Sequence, residues 1–270
     1  MLKTEERNPR TKHIDAMTPS EMVRVIQDEN MNAVRSIEPQ LENIALAIDK
    51  ISERMSRGGR LFYVGCGTSG RLGVLDASEC PPTFGVSAEL VVGIIAGGDR
   101  ALRSAVEGAE DDRMAGIADI RGHSLTELDS VVGISVAGGA RYVLGAMEVA
   151  RACGALTVAL TCNADGALTS CTDITICTDT GAEVVTGSTR MKAGSAHKMV
   201  LNMISTGVMI RLGNVYENLM INLRPSNIKL RDRMIRIVSE LADVPYADAE
   251  RMLTENGFSI RRILEAVGAP

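Results

Sequence analysis

Five short apolar runs set the architecture of this chain: LFYVG (61–65), LVVGIIAG (90–97), SVVGISV (130–136), ALTVALTC (155–162) and DITICT (173–178). Their length and β-branched content read as buried strands, and helical patterns separate several of them, notably residues 142–153. Strands alternating with helices make βαβ units, so the expected class is α/β around a mostly parallel sheet. Ahead of the first run, Met31, Val34, Ile37, Leu41, Ile44, Ile48, Ile51 and Met55 form one apolar stripe, which predicts a single long amphipathic helix. Good helix formers fill Ser188 to Leu212, and 227–268 read as three short amphipathic helices without strands. At 270 residues the chain suits one large α/β domain with a small appendage.

Composition narrows the function. With no Trp, 3 Phe, 4 Tyr and a net charge of −5, the chain has few rings on which bases could stack, and its overall charge disfavours a nucleic-acid partner. An anionic small molecule can still be held locally, by amides and hydroxyls. The charged N-terminus MLKTEERNPRTKHID has no apolar signal region, and no apolar run is long enough to span a membrane. The six cysteines show no CxxC pair and no zinc-finger spacing, so they read as reduced thiols of a cytoplasmic protein without a metal site or cofactor.

The stretch VGCGTSGRLGVLDASECPPTFG (64–85) is where binding chemistry first shows. A strand ends at Val64, the glycines at 65, 67 and 70 permit a sharp turn, and a helix follows. Gly67, Thr68, Ser69 and Gly70 thereby present free amides, two hydroxyls and the positive end of a helix dipole to one point, a phosphate cradle. The same letters fit the weak GxGxxG dinucleotide pattern, but the paired hydroxyls suit a phosphomonoester better than a pyrophosphate. A plain strand-to-helix turn capped by Ser69 is the bland alternative.

This stretch resembles the signature of the N-acetylmuramic acid 6-phosphate etherases. TEERNPRTKHID (4–15), GGDRALRSAVEGAEDD (97–112) and EVVTGSTRMKAGSAHKMVLNMISTG (183–207) resemble the same family in the same order. The resemblance implies a sugar isomerase (SIS) three-layer αβα sandwich over residues 1–225, a small helical unit like a ubiquitin-associated domain over 226–270, and a homodimer. It implies a sugar-phosphate substrate from which the D-lactyl ether is removed, leaving N-acetylglucosamine 6-phosphate and D-lactate.

In such a substrate the ether oxygen sits β to the aldehyde carbon of the open sugar. Elimination needs a base at C2 and an acid at the departing oxygen, and water then adds back. Two carboxylates can serve. The resemblance maps them to Glu79 and Glu110. Glu79 precedes Pro81 and Pro82, expected to stop the helix, and is assigned as the acid; Glu110 is assigned as the base. Without the family, Glu110 among Glu107, Asp111 and Asp112 would read as a solvated acidic face. Ser188, Thr189, Arg190 and Lys192 at the start of a long helix offer a second set of anion or hydroxyl contacts, or simple capping. Asp76 is expected to cap or to pair with Arg71, and His197 to be incidental.

One block departs from the pattern. Where etherases usually carry ASGRTPYV, this chain has VAGGARYV (136–143), so Ala137, Gly139 and Ala140 stand in place of Ser, Arg and Thr. Ser135 lies two positions earlier, and backbone amides at the glycines can substitute for the missing hydroxyls. GISV and GCGTSG also resemble the glucokinase regulatory protein, which makes a non-catalytic sugar-phosphate sensor one alternative. A phosphosugar isomerase of the same fold is another.

Overall fold

A computed structural model describes residues 2–223, 225 and 227–266. The five runs are strands: β1 (Leu61–Gly65), β2 (Val91–Ile95), β3 (Ser130–Ile134), β4 (Leu156–Thr161) and β5 (Ile174–Cys177). They form one all-parallel sheet in the order β2-β1-β3-β4-β5. Side chains alternate across it. Leu61 and Tyr63 enter one core with helices α2 (Leu41–Met55), α3 (Gly67–Phe84) and α7 (Lys192–Arg211), whereas Phe62 and Val64 enter a second with α5 (Arg113–Arg121) and α6 (Arg141–Ala152). The three-layer sandwich follows directly from that alternation.

The chain runs from β1 to β2 on one side and then returns to place β3 on the other side of β1. The loops leaving β1 and β3 therefore diverge at the carboxyl edge of the sheet, which opens a crevice between them.

The single long N-terminal helix is corrected to two, α1 (Pro19–Arg35) and α2, joined through a 3₁₀ turn at Glu38–Gln40. Pro39 cannot donate to the residue four before it, so the helix breaks there. Met31 and Val34 are exposed; Ala33 and Ile37 do the packing. The start of α1 carries a signal the stripe reading passed over: Thr18 and Glu21 form a reciprocal capping box around Pro19. The start of α7 is also later than the helix formers suggest, at Lys192, leaving Ser188, Thr189 and Arg190 in the turn before it.

Pro81 and Pro82 do not end α3. The helix runs through both to Phe84 and closes at Gly85, whose φ of 68° puts it in the left-handed region and whose N–H donates to Pro81 O at 2.9 Å. The helix-stop argument for Glu79 falls with this, since Glu79 lies more than a turn inside.

After α7 a short β6–β7 hairpin (Val215–Tyr216, Leu219–Met220) leads to α8 (Ile228–Leu241), α9 (Tyr246–Glu255) and α10 (Ile260–Ala266). These three share a core of their own, built on Met234, Ile235, Val238, Leu253 and Ile263. Arg224, Ser226 and 267–270 lie outside the described residues, and with them the exact place of the expected boundary at 225/226.

Candidate active site

The β1–α3 loop forms the floor of the crevice. Cys66 is the N-cap of α3 and Gly67 its first residue, with φ of 52°. The N–H groups of Gly67, Thr68 and Ser69 precede the first intrahelical donor, Gly70, and so have no acceptor within the helix, and the dipole adds a partial positive charge of about half a unit there. Ser69 is buried and lines the crevice. Gly70 serves otherwise. Its N–H donates to Cys66 O at 3.3 Å, and a Cβ there would stand 2.5 Å from Ile95 Cγ1 and 2.6 Å from Gly65 O. It lets helix and strand approach, and it does not line the cavity.

The β3–α6 loop supplies the facing wall. Ser135, Val136, Ala137, Gly139 and Ala140 line it, and Gly138 (φ 71°) turns the chain back toward α6, a second helix N-terminus aimed at the same space. Ser135 Oγ accepts from the Ala140 amide at 3.5 Å. The third side is Thr189 and Gly194 from the entry to α7; a Cβ on Gly194 would lie 3.4 Å from Thr68 Cγ2. Glu110 and Asp111, from a 3₁₀ turn at Ala109–Asp111, and Glu5, from the N-terminal segment, complete a cavity of about 430 Å³.

The lining has a plain electrostatic character. Among the described residues it holds three carboxylates and no lysine, arginine or histidine. An anion bound on the floor is thus held by amides, hydroxyls and helix dipoles. Burial and the nearby Glu110 and Asp111 push the Cys66 thiol up to about 12, so it is a neutral wall group and not a nucleophile.

Of the residues expected from sequence, Gly67, Thr68, Ser69, Ser135, Thr189 and Glu110 meet in this cavity. Ser188 is half-buried and Arg190 exposed, and neither lines it. Glu79 is exposed on α3, about 18 Å along the axis from Gly67 at 1.5 Å per residue, and does not face this cavity. Asp76 accepts from Asn202 Nδ2 at 2.6 Å and Ser205 Oγ at 3.2 Å, which ties α3 to α7, while Arg71 donates from Nε to Leu102 O at 3.2 Å. The expected Asp76–Arg71 pair does not form.

Lys192 is corrected as an anion contact. Only 1% of its side chain is exposed, and Nζ is held at 2.6 Å from both Glu29 Oε2 and Ala182 O. Glu29 also accepts from Asn8 Nδ2 at 2.8 Å and from Arg10 Nη1 at 3.0 Å. Glu183 caps α7, accepting from the Lys192 and Ala193 amides at 3.1 and 3.0 Å. This buried network pins the segment carrying Glu5 to the turn carrying Thr189. Sequence reasoning missed Glu5, Glu29 and Glu183, although both flanking segments stood in the family-like blocks.

His197 is buried against Cys162 Sγ, 3.5 Å from Nε2. Burial lowers its pKa from 6.5 to about 4, with a Thr161 backbone contact opposing. Between those values the unfolded chain binds the extra proton, so stability falls as pH drops from 6.5 toward 4 and is unaffected above 6.5. The full effect is about 3 kcal/mol at 1.36 kcal/mol per unit. Denaturant titrations at pH 7 and 5 are expected to show a smaller loss for His197→Gln than for the unaltered chain.

A five-stranded all-parallel sheet with helices on both faces and a crevice at its switch point is a SIS-type fold. The comparisons agree on the fold. The glucokinase regulatory protein N-terminal SIS domain model matches residues 43–151. Phosphoheptose isomerases from Neisseria gonorrhoeae and Francisella tularensis superimpose with TM-scores of 0.55 and 0.53 at 19% identity, covering 71% of this chain and 98% of theirs. Sequence goes further. The N-acetylmuramic acid 6-phosphate etherase of Caldanaerobacter subterraneus is 52% identical over 99% of this chain and 88% of its own. Those of Clostridium beijerinckii (49%, 96% and 86%) and Serratia proteamaculans (48%, 96% and 88%) are similar. The chain belongs to the N-acetylmuramic acid 6-phosphate etherase family.

Proposed function

We propose that this protein cleaves the D-lactyl ether of N-acetylmuramic acid 6-phosphate, giving N-acetylglucosamine 6-phosphate and D-lactate. The observation that carries the reading is Glu110, a carboxylate on the wall beside the amide-and-hydroxyl cradle, in a chain of this family. Gly67, Thr68, Ser69, Ser135 and Thr189 hold the phosphate. With the ring open, Glu110 takes the C2 proton, the C3–O bond breaks, and the electron pair leaves with the lactate oxygen, which an acid protonates. Water then adds, hydroxyl to C3 and proton to C2. Such a reaction is a carbon–oxygen lyase step followed by hydration.

Glu79 is the acid in this reading, and it acts in the cavity of the other subunit of a cytoplasmic homodimer. Its exposure supports this, as do exposed Leu75 one turn before it and Met203 on α7, next to Asn202, which bonds Asp76. In random mixtures of Glu79→Gln and Glu110→Gln chains, half the dimers are mixed and each has one intact site. Activity is therefore expected to recover to about a quarter of the unaltered level by that two-fold symmetry, whereas no recovery places both carboxylates in one chain's site.

Turnover in D₂O tests the chemistry. Elimination and hydration place one deuterium at C2 of the N-acetylglucosamine 6-phosphate; a product without it excludes the C2 carbanion. A phosphosugar isomerase would exchange C2 without releasing D-lactate.

A further inference from the structure

A second, smaller cavity of about 190 Å³ adjoins the first and shares Cys66, Gly67 and Glu110 with it. Beyond that wall it is lined by Ala96, Ala101, Ala105 and Val106, by Glu107, Gly108 and Ala109 of the following turn, and by Arg71 from α3. Arg71 lies one turn after Gly67 on the same face of the helix. Among the described residues it is the one cationic residue in the lining of either cavity.

Resting on the etherase reading, we propose that this cavity is the lactyl subsite, in which Arg71 binds the lactyl carboxylate and the alanine–valine wall receives the methyl group.

The substrate carries two anionic groups, and the first cavity can take one. Its cradle suits the phosphate, but Glu5, Glu110 and Asp111 leave nothing there to balance a carboxylate. An unpaired carboxylate in such a place is costly. Arg71 is equipped for the second anion. Its Nε–H is spent on Leu102 O at 3.2 Å, which fixes the guanidinium plane, and the two terminal nitrogens remain for a bidentate contact. Among the described residues no carboxylate pairs with it. Glu107 and Glu110 border the cavity without bonding Arg71, so the arrangement awaits an acceptor that the chain itself does not provide.

The two cavities also order the substrate. Phosphate in the first and lactyl group in the second put the C2–C3 bond at the shared wall, where Glu110 stands. The small side chains at 96, 101 and 105 give the lactyl methyl group an apolar wall to pack against.

Two ligands that differ only in the lactyl group test this. In Glu110→Gln protein, where turnover is suppressed, calorimetric titration is run with N-acetylmuramic acid 6-phosphate and with N-acetylglucosamine 6-phosphate. Adding Arg71→Gln is expected to weaken the first about 10- to 100-fold, the range for a hydrogen-bonded charge, and to leave the second within about twofold. Arg71→Lys recovers part of the loss. The lactyl-amide analogue is expected to bind protein with Arg71 intact about as weakly as the acid binds the Gln variant, a comparison that needs no substitution at 71. Equal weakening of both ligands would make Arg71 a strut for Leu102 and overturn the subsite, as would an amide that binds as tightly as the acid. D-lactate release by the unaltered chain is assayed separately. Its absence with ligand discrimination intact overturns the etherase reading alone; its presence without discrimination overturns the subsite alone.

Discussion

Glu110→Gln is expected to lower D-lactate release by about 10²–10⁴-fold, the usual contribution of a positioned general base. Gln keeps the shape and loses the proton acceptor. The Glu110 side chain is exposed on a 3₁₀ turn and has no hydrogen-bond or ion-pair partner among the described residues, so folding asks nothing of it. Melting temperature and affinity for N-acetylglucosamine 6-phosphate are therefore expected to stay as they are. Loss of kcat with both preserved identifies a group used in the reaction; a shared loss of stability would instead make Glu110 part of the scaffold. The turn that carries it helps in one respect, since Gly108 (φ 74°) supplies the left-handed residue that lifts 109–111 over the cavity.

The second large effect is on stability. Lys192→Met removes the ammonium that compensates Glu29 in a site where 1% and 4% of the two side chains are exposed. Breaking a buried pair from one side typically costs about 3–5 kcal/mol, because the other charge stays behind. Arg10, half exposed, can relieve only part of that. Lys192→Met with Glu29→Gln is expected to cost less than the sum of the two single changes, by about 0.5–3 kcal/mol of coupling, in denaturant unfolding. Additive costs would mean that the contact does not matter. Burial works to raise the Glu29 carboxyl, but its bonds to Lys192 and Asn8 and the charges of Lys192 and Arg10 outweigh it and hold the pKa below 4.5. A depressed carboxyl stabilises the fold above its unfolded value and loses that contribution as pH falls through the folded one. The Glu29 share of acid destabilisation is thus expected below pH 4.5, separate from the His197 loss that begins at 6.5.

What could be read from the chain alone depended on range. The five strands were legible because buried parallel strands are continuous apolar runs, and the cradle because a glycine turn and its helix are contiguous. Pro39 was the signal that the stripe from Met31 to Met55 breaks, and spacing by threes and fours hid it, since the helices on both sides keep the same period. Pro81 and Pro82 misled in the opposite direction: consecutive prolines remove backbone donors only toward residues 77 and 78, and packing of α3 on β1, β2 and α7 holds the last turn together. Lys192 looked like a surface cation because its partner, Glu29, is 163 residues away. Glu5 reaches the cavity from the far N-terminal segment and Glu29 braces it through Lys192 from a distance in sequence, and no local pattern announces either; Glu183, 9 and 10 residues before the amides it caps, is nearer but carries no helix-start signature. The altered loop at 136–143 still lines the cavity, through Val136, Ala137, Gly139 and Ala140 beside Ser135, with Gly138 turning the chain.

Purified protein is incubated with N-acetylmuramic acid 6-phosphate, and D-lactate and N-acetylglucosamine 6-phosphate are quantified together. The etherase reading predicts both products in equal amounts, released about 10²–10⁴-fold more slowly by protein carrying Glu110→Gln. Saturable binding of the sugar phosphate with no D-lactate released would contradict it, and would make the crevice a binding site without a reaction.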